Sequence, residues 1–391
     1  MNNLNREYPN LLFKKQWKLS DKSLIYLGQC EAYIRSINNT PILPHHYQQL
    51  MNIAQMKGAQ ATTAIEGNTL SDEEVKKIME KQKLPPSKAY QEIEVKNILE
   101  AFNELLNEIL INKSEHFITV DLLKRFHKMV GKDLAEHFNA IPGQLRNNDV
   151  VVGAYRCPDH RDVPLLLENM CQWLREEFRY KDKEQSFSEV VIQAIVSHIY
   201  IEWIHPFGDG NGRTGRLVEF YILLRGGNPD IASHILSNYY NLTRTAYYRQ
   251  IEKATQEKDL SDFIEYALLG FRDGLVQTLD IIQKSQFENT WKSLIFGYFD
   301  GIRSTVTEEV FKRQRTLALE MPMGKSISFS EITNVSIPLA KIYSNISDKT
   351  IHRDIEKLLD LKLVVKQGDK YIANTGVLRS MIAKRKVVNL S

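Results

Sequence analysis

The stretch His205-Pro-Phe-Gly-Asp-Gly-Asn-Gly-Arg-Thr-Gly-Arg216 decides how the rest of this 391-residue chain is read. Gly208, Gly210 and Gly212 let backbone N–H groups converge on one point without Cβ hindrance. The pattern predicts a long helix from Ser186 to about Ile204 before the loop, with apolar Val190, Val191, Ala194, Ile195, Ile199 and Trp203. It predicts a second helix from about Gly212 to Leu224, stopped by Gly226-Gly227-Asn228-Pro229. A glycine-rich loop that opens a helix is an anion cradle suited to phosphate oxygens. Arg213 and Arg216, three apart in the first helical turn, project to one side and can reach further phosphates. Asp209 offers a hard oxygen ligand for Mg²⁺. His205, at the loop's entry, can take a proton from an attacking hydroxyl. Cradle, cations, metal ligand and base within twelve residues imply phosphoryl or nucleotidyl chemistry, carried by positioning and charge neutralisation. The segment is neither a P-loop nor a dinucleotide-binding GxGxxG. Gly324-Lys325-Ser326 resembles a P-loop end, but Leu319 stands where its first glycine belongs.

Around this loop the composition, 43% hydrophobic and 25% charged, is that of a globular protein. The length predicts two or three domains. No apolar run reaches the roughly 18 residues that cross a bilayer, and the N-terminal residues lack a secretory layout, so no membrane partner is expected. Cys30, Cys157 and Cys171 show no CxxC spacing, which argues against a disulfide framework or zinc knuckle and fits a reducing cytoplasm. Residues 301–391 hold 16 Lys/Arg against 9 Asp/Glu, a net +7, so the remainder carries −4 of the chain's +3. That asymmetry predicts a basic C-terminal module beside a nearly neutral body.

The pattern predicts a mainly α chain. Loops fall at Asn38–Pro41 and Lys83–Ser87. Helices are expected over 89–111, where Ile93, Val95, Ile98, Leu99, Phe102, Leu105 and Leu106 share a face, and over about 119–130, 242–256 and 260–282. Val150-Val151-Val152, between Asn147-Asn148-Asp149 and Gly153, predicts a small hairpin. Beyond about residue 295, helix, helix and two strands around Gln367-Gly368-Asp369 give the layout of a winged helix-turn-helix.

On all its fixed positions the loop matches HPFx(D/E)GNGRxxR, and it thereby resembles the signature of the Fic family of protein adenylyltransferases. The resemblance implies a Fic-type helical core over 118–285 with a β-hairpin flap, an N-terminal helical region over 1–117 and a winged helix over 295–391. It implies that His205 deprotonates the target side chain and that Asp209 holds the Mg²⁺ bridging the α- and β-phosphates. Gly210, Asn211 and Gly212 would line the anion hole, while Arg213 and Arg216 would reach the outer phosphates. The hydroxyl of a target protein then attacks the α-phosphate of ATP, pyrophosphate leaves, and AMP stays on Ser, Thr or Tyr. Asp209, in place of a lysine-type loop, favours this over the phosphorylating branch of the superfamily. Transfer of another nucleotide or of phosphocholine, and a nucleotide-sensing DNA-binding regulator, are the competing readings.

The resemblance extends the ATP-binding set to Glu66, Thr214, Gly215, Tyr247, Tyr248 and Thr255. Tyr247 and Tyr248 resemble the helix that packs on adenine, and Thr255 stands where family members often carry Asn. Val150, Val151, Val152 and Gly153 would form the flap that positions an extended target segment by main-chain pairing. Thr62-Thr-Ala-Ile-Glu66-Gly67-Asn68 matches the family's inhibitory motif (S/T)xxxE(G/N), with Thr62 and Glu66 on one helical face. That implies autoinhibition through a Glu66–Arg216 pair. His198 reads as a packed helix histidine. In the C-terminal module Lys349, His352, Arg353 and Lys357 can face outward from an inner face of Ile351, Ile355, Leu358 and Leu359, so DNA, protein docking and a homodimer all stay open as partners.

Overall fold

The structure, a computed structural model, describes residues 8–113, 116–178 and 186–381. Its contacts divide the chain into two compact units, residues 1–282 and 283–391. The regions 1–117 and 118–285 expected from the sequence thus share the first unit, but for the last three residues. The tail 382–391, with its basic residues, lies outside the described residues.

In the first unit the helices are α1 (Asp21–Asn38), α2 (Pro44–Ala64), α3 (Asp72–Met79), α4 (Ala89–Leu106) and α5 (Val120–Val130). A hairpin of β1 (Val151–Val152) and β2 (Tyr155–Arg156) follows, pairing Val151 with Arg156. Then come α6 (Val163–Glu177), α7 (Phe187–Ile204), α8 (Asn211–Arg225), α9 (Ile235–Leu242), α10 (Arg244–Glu257) and α11 (Ser261–Ile302). The division between units falls inside α11, which runs 20 residues past the expected end at 282.

Helices α7 and α8 form the centre, and both are buried on nearly every side. A helix so enclosed has no polar face to keep, which is why α7 is apolar all round. Phe187–Ile204 is in fact long and apolar enough to cross a bilayer by length and composition, which amends the sequence reading, but 78% of it is buried within the protein. Ser186 caps α7 with a reciprocal Glu189 bond, the capping box. At the other end Pro206 cannot continue the helix, and His205 takes a left-handed backbone conformation (φ 48°, ψ 60°). Gly215 on α8 lets that helix approach His198 of α7, since a Cβ there would stand 3.0 Å from the imidazole ring.

His198 is wholly enclosed, with Nδ1 3.5 Å from Glu219 and Nε2 3.6 Å from Glu202. Burial alone would lower its pKa, but the two carboxylates outweigh it and raise the value to about 9. Burial acts unopposed on His234, whose ring stacks on Phe220, and brings it to about 3. His127 falls to about 4, chiefly through burial. The stability consequences have opposite signs. His127 and His234 stay neutral when folded, so the unfolded chain binds extra protons from pH 6.5 down to about 4 and stability falls with pH, by up to about 1.4 kcal/mol per pH unit for each. His198 contributes stability that is full below pH 6.5 and is lost as pH rises through 9. Urea unfolding between pH 4.5 and 6.5 should therefore show stability rising with pH, with a shallower slope in His234→Phe; an unchanged slope in that variant contradicts the assignment.

The second unit contains α12 (Glu308–Glu320), β3 (Ile327–Ser328), α13 (Ile337–Tyr343), α14 (Asp348–Asp360), β4 (Val364–Gln367), β5 (Lys370–Ala373) and α15 (Gly376–Met381). Its antiparallel sheet has the order β3-β5-β4. Neither α12 nor β3 is marked by the sequence pattern, and the first of the two helices expected there is preceded by a 3₁₀ turn (Phe329–Asn334) before α13. This unit has its own core, which includes Trp291, Phe299, Phe311, Leu317, Ile355 and Leu358.

Candidate active site

The loop 205–210 is held by residues that come from far along the chain. Within the loop, the Asn211 amide closes both ends of a turn, donating to the Phe207 carbonyl and accepting from the Phe207 N–H, each at 2.9 Å. His127 on α5 stacks on Phe207 with centroids 3.8 Å apart. Its Nδ1 accepts the Gly143 N–H (2.9 Å), which leaves the proton on Nε2 to donate to the Asp209 carbonyl, also at 2.9 Å. Burial keeps that imidazole neutral, as this pattern requires. Gly210 adopts φ +74°, and a Cβ there would meet the Phe138 ring at 2.9 Å, so glycine is needed twice over.

Arg146 ties the loop to the flap. Its Nε donates to the His205 carbonyl (2.7 Å), Nη1 to Asn148 O (2.7 Å) and Nη2 to Pro158 O (2.5 Å), the two carbonyls at the hairpin's ends. Tyr155 of β2 adds a bond to the Trp203 carbonyl at 3.0 Å. The predicted hairpin is present, and Val151 (64% exposed) and Val152 stand open at its tip, with Gly153 in the turn at φ +58°. Val150 precedes the strand, and its carbonyl accepts the Cys157 N–H. Cys30, Cys157 and Cys171 are all buried free thiols.

His205, in its left-handed conformation, ends α7 and opens the loop. Burial lowers its pKa, while the nearby Glu202 carboxylate opposes that shift. The imidazole is therefore neutral at ordinary pH, the form a proton acceptor needs. The amides of Asn211, Gly212 and Arg213, at the start of α8, take no backbone acceptor among the described residues, an arrangement suited to an anion. The Thr214 amide is instead bonded to the Gly210 carbonyl, Thr214 is fully buried, and Gly215 faces His198. The structure thus separates Thr214 and Gly215 from the cradle.

Asp209 keeps part of its carboxylate open. Oδ1 accepts the Gly210 N–H and Arg213 Nη2, and Oδ2 accepts the Asn139 N–H at 3.2 Å. A part-exposed anionic oxygen at the mouth of an anion hole fits a hard divalent cation such as Mg²⁺.

Arg216 is wholly buried, with Nε and Nη2 both bonded. Nε donates to Thr62 Oγ1 (2.8 Å), and Nη2 to Thr62 O (2.9 Å) and Glu66 Oε1 (2.5 Å). The predicted pairing of Thr62, Glu66 and Arg216 is therefore formed, on a different local frame. Helix α2 ends at Ala64, and Glu66 sits in the following turn, closed by Glu66 N–H to Thr63 O and by Gly67 at φ +102°. The Glu66 carboxylate lies where a side chain on Gly212 would stand, against the first turn of α8. Arg213 does not face outward: its guanidinium is buried against Glu94 and Asp209.

The base-pocket residues are scattered. Tyr247 is fully buried, stacked on Tyr240, with its hydroxyl 3.0 Å from His198 Nε2. Tyr248 is half-exposed and donates to the Ile65 carbonyl, beside Glu66. The Thr255 hydroxyl accepts from Trp203 Nε1 and donates to Ile251 O, so it is spent within the protein.

With this geometry in view, known proteins resemble part of the chain. Residues 117–223 match the profile described as the Fic/DOC family. This segment therefore resembles a Fic domain. Protein adenylyltransferase fic-1 of Caenorhabditis briggsae is 30% identical over 205 residues, 52% of this chain and 37% of that protein. Protein adenylyltransferase Fic of Culex quinquefasciatus is 30% identical over 222 residues, 56% and 40% of the two chains. The match thus spans about two fifths of the length of these curated relatives. A Fic family protein from Desulfovibrio desulfuricans G20 shares the fold with a TM-score of 0.56 and 17% identity, covering 92% of this chain and 98% of its own. A Fic-1 fragment from Caenorhabditis elegans gives 0.54 and 22%, covering 67% and 74%. The matched segment holds the signature loop and the flap, while Glu66, in the turn after α2, and Glu94, on α4, come from before it.

Proposed function

We propose that the chain transfers AMP from ATP to a hydroxyl side chain of a protein, and that Glu66 restrains the reaction. The observation that carries this reading is the meeting of a neutral His205, three free amides at the start of α8 and the part-open Asp209 around one mouth. His205 accepts the proton of the target hydroxyl as that oxygen attacks the α-phosphorus. The amides of Asn211, Gly212 and Arg213 receive phosphate oxygens, and Asp209 would hold Mg²⁺, which would supply charge neutralisation for the departing pyrophosphate. The exposed Val151 and Val152 offer main-chain groups to an extended target segment. Restraint follows from Glu66: it occupies Arg216, which would otherwise meet the outermost phosphate, and its negative charge sits where phosphates would lie. Intact-mass spectrometry of Glu66→Gly protein incubated with ATP and Mg²⁺ should show addition of AMP; an added phosphate, or no addition, argues against the reading.

A second activity is supported by the C-terminal unit, which we read as a winged helix that contacts DNA. Asp354, one of the acidic residues interleaved on α14, is buried and bonded to Arg313 (2.5 Å), Gln314 (2.9 Å) and Tyr343 (3.1 Å). It therefore does not weaken the outward face, where Lys349, His352 and Arg353 are exposed. Phosphate contacts by such residues give salt-dependent affinity. A Lys349→Ala/Arg353→Ala variant should lose duplex binding in a gel shift at least about tenfold; unchanged binding, or none by the parent protein, rules this partner out.

A further inference from the structure

Glu94 on α4 is a buried carboxylate outside the signature loop, and it is bonded to the loop's first arginine. Its carboxylate accepts from Arg213 Nη1, from the Tyr90 hydroxyl at 2.9 Å and from Asn68 Nδ2 at 3.0 Å. Asn68 is itself fixed by bonds to Gln91 O and Leu70 N–H. The other terminal nitrogen of Arg213, Nη2, donates to Asp209 Oδ1 at 3.0 Å, and the Phe138 ring lies 5.5 Å from the guanidinium carbon. Both ends of the Arg213 fork are thus committed to carboxylates, and the side chain is 4% exposed.

Two carboxylates competing for one guanidinium share its charge unequally, and the better-placed one takes more. Glu94 is held by two further donors in a buried setting, whereas Asp209 is part-exposed. Guanidinium–carboxylate pairs are strongest when both nitrogens face one carboxylate. With Glu94 gone, Arg213 is free to turn its whole fork onto Asp209 and neutralise it.

Resting on the AMP-transfer reading, we propose that Glu94 is a positioning residue: it draws Arg213 away from Asp209 so that the Asp209 carboxylate keeps its affinity for a divalent cation. In this arrangement Arg213 orients Asp209 and is not a phosphate ligand.

The test uses the full chain carrying Glu66→Gly, with a non-hydrolysable ATP analogue titrated by calorimetry at graded Mg²⁺. Glu94→Gln should raise the Mg²⁺ concentration for half-maximal analogue binding about fivefold or more, leaving Mg²⁺-free binding within about twofold, consistent with a change of about 1 kcal/mol. Adding Arg213→Gln removes the competitor and should restore the parent's Mg²⁺ requirement. That double variant also leaves no unpaired buried charge, so it stays informative if Glu94→Gln alone fails to fold. An unchanged Mg²⁺ requirement in Glu94→Gln, or a raised one in the double variant, overturns the inference, since a merely structural Glu94 would not be rescued by losing its partner. Because the readout is binding, it stands apart from whether Glu66→Gly protein labels itself, which judges the transfer reading alone.

Discussion

His205→Ala is expected to lower transfer of a tagged α-phosphate group from ATP to protein by about 10²- to 10⁴-fold, the range a positioned general base contributes. The effect should fall on turnover and leave ATP binding nearly intact. The proposed phosphate cradle is the set of amides of Asn211, Gly212 and Arg213 and does not include the imidazole. Its loop is fixed independently by Asn211, His127 and Arg146, the last gripping the His205 carbonyl and not its ring. An alanine should therefore leave the loop in place, since it keeps the Cβ that histidine already carries at this left-handed position. The pH profile supplies a second readout. Burial lowers the His205 pKa, so activity should persist below pH 6.5 before the acid limb sets in. Unaltered labelling by His205→Ala would remove the histidine from the chemistry.

Glu66→Gly is expected to raise self-labelling about tenfold or more, equal to about 1.4 kcal/mol of released restraint. Glu66 Oε1 lies 2.5 Å from Arg216 Nη2, and the carboxylate packs on Gly212. Removing it frees an arginine and clears negative charge from the anion hole in one step. Thr62 still accepts from Nε and Nη2, so Arg216 keeps two of its bonds and its orientation in the variant. The turn should survive as well, since Asn68 anchors it to α4 and Tyr248 holds the Ile65 carbonyl. Equal or lower labelling by Glu66→Gly contradicts restraint by this residue.

The loop was legible in sequence because its chemistry is local: twelve consecutive residues supply the glycines, the base, the carboxylate and the arginines. The helices around it were legible from apolar periodicity, and α7 and α8 lie close to the expected bounds. What sequence could not supply were partners contributed by distant segments. His127, Asn139, Arg146 and Glu94 bond to the loop or its arginine across 59 to 119 positions, and none belongs to a local motif. The direction of Arg213 was invisible for the same reason, because helical spacing places it near Arg216 but cannot reveal the carboxylate that claims it. Burial separated Tyr247 from Tyr248, neighbours in sequence, and made the first a core residue bonded to His198. In the C-terminal unit, two-residue β3 is too short for an alternating pattern to mark it, while β4 and β5 flank a turn that composition does mark.

The most direct measurement incubates Glu66→Gly protein with Mg²⁺ and ATP labelled either on the α- or on the γ-phosphate. Label from the α-position should stay on the protein while label from the γ-position leaves with pyrophosphate; retention of the γ-label on protein would show phosphoryl transfer and contradict the account.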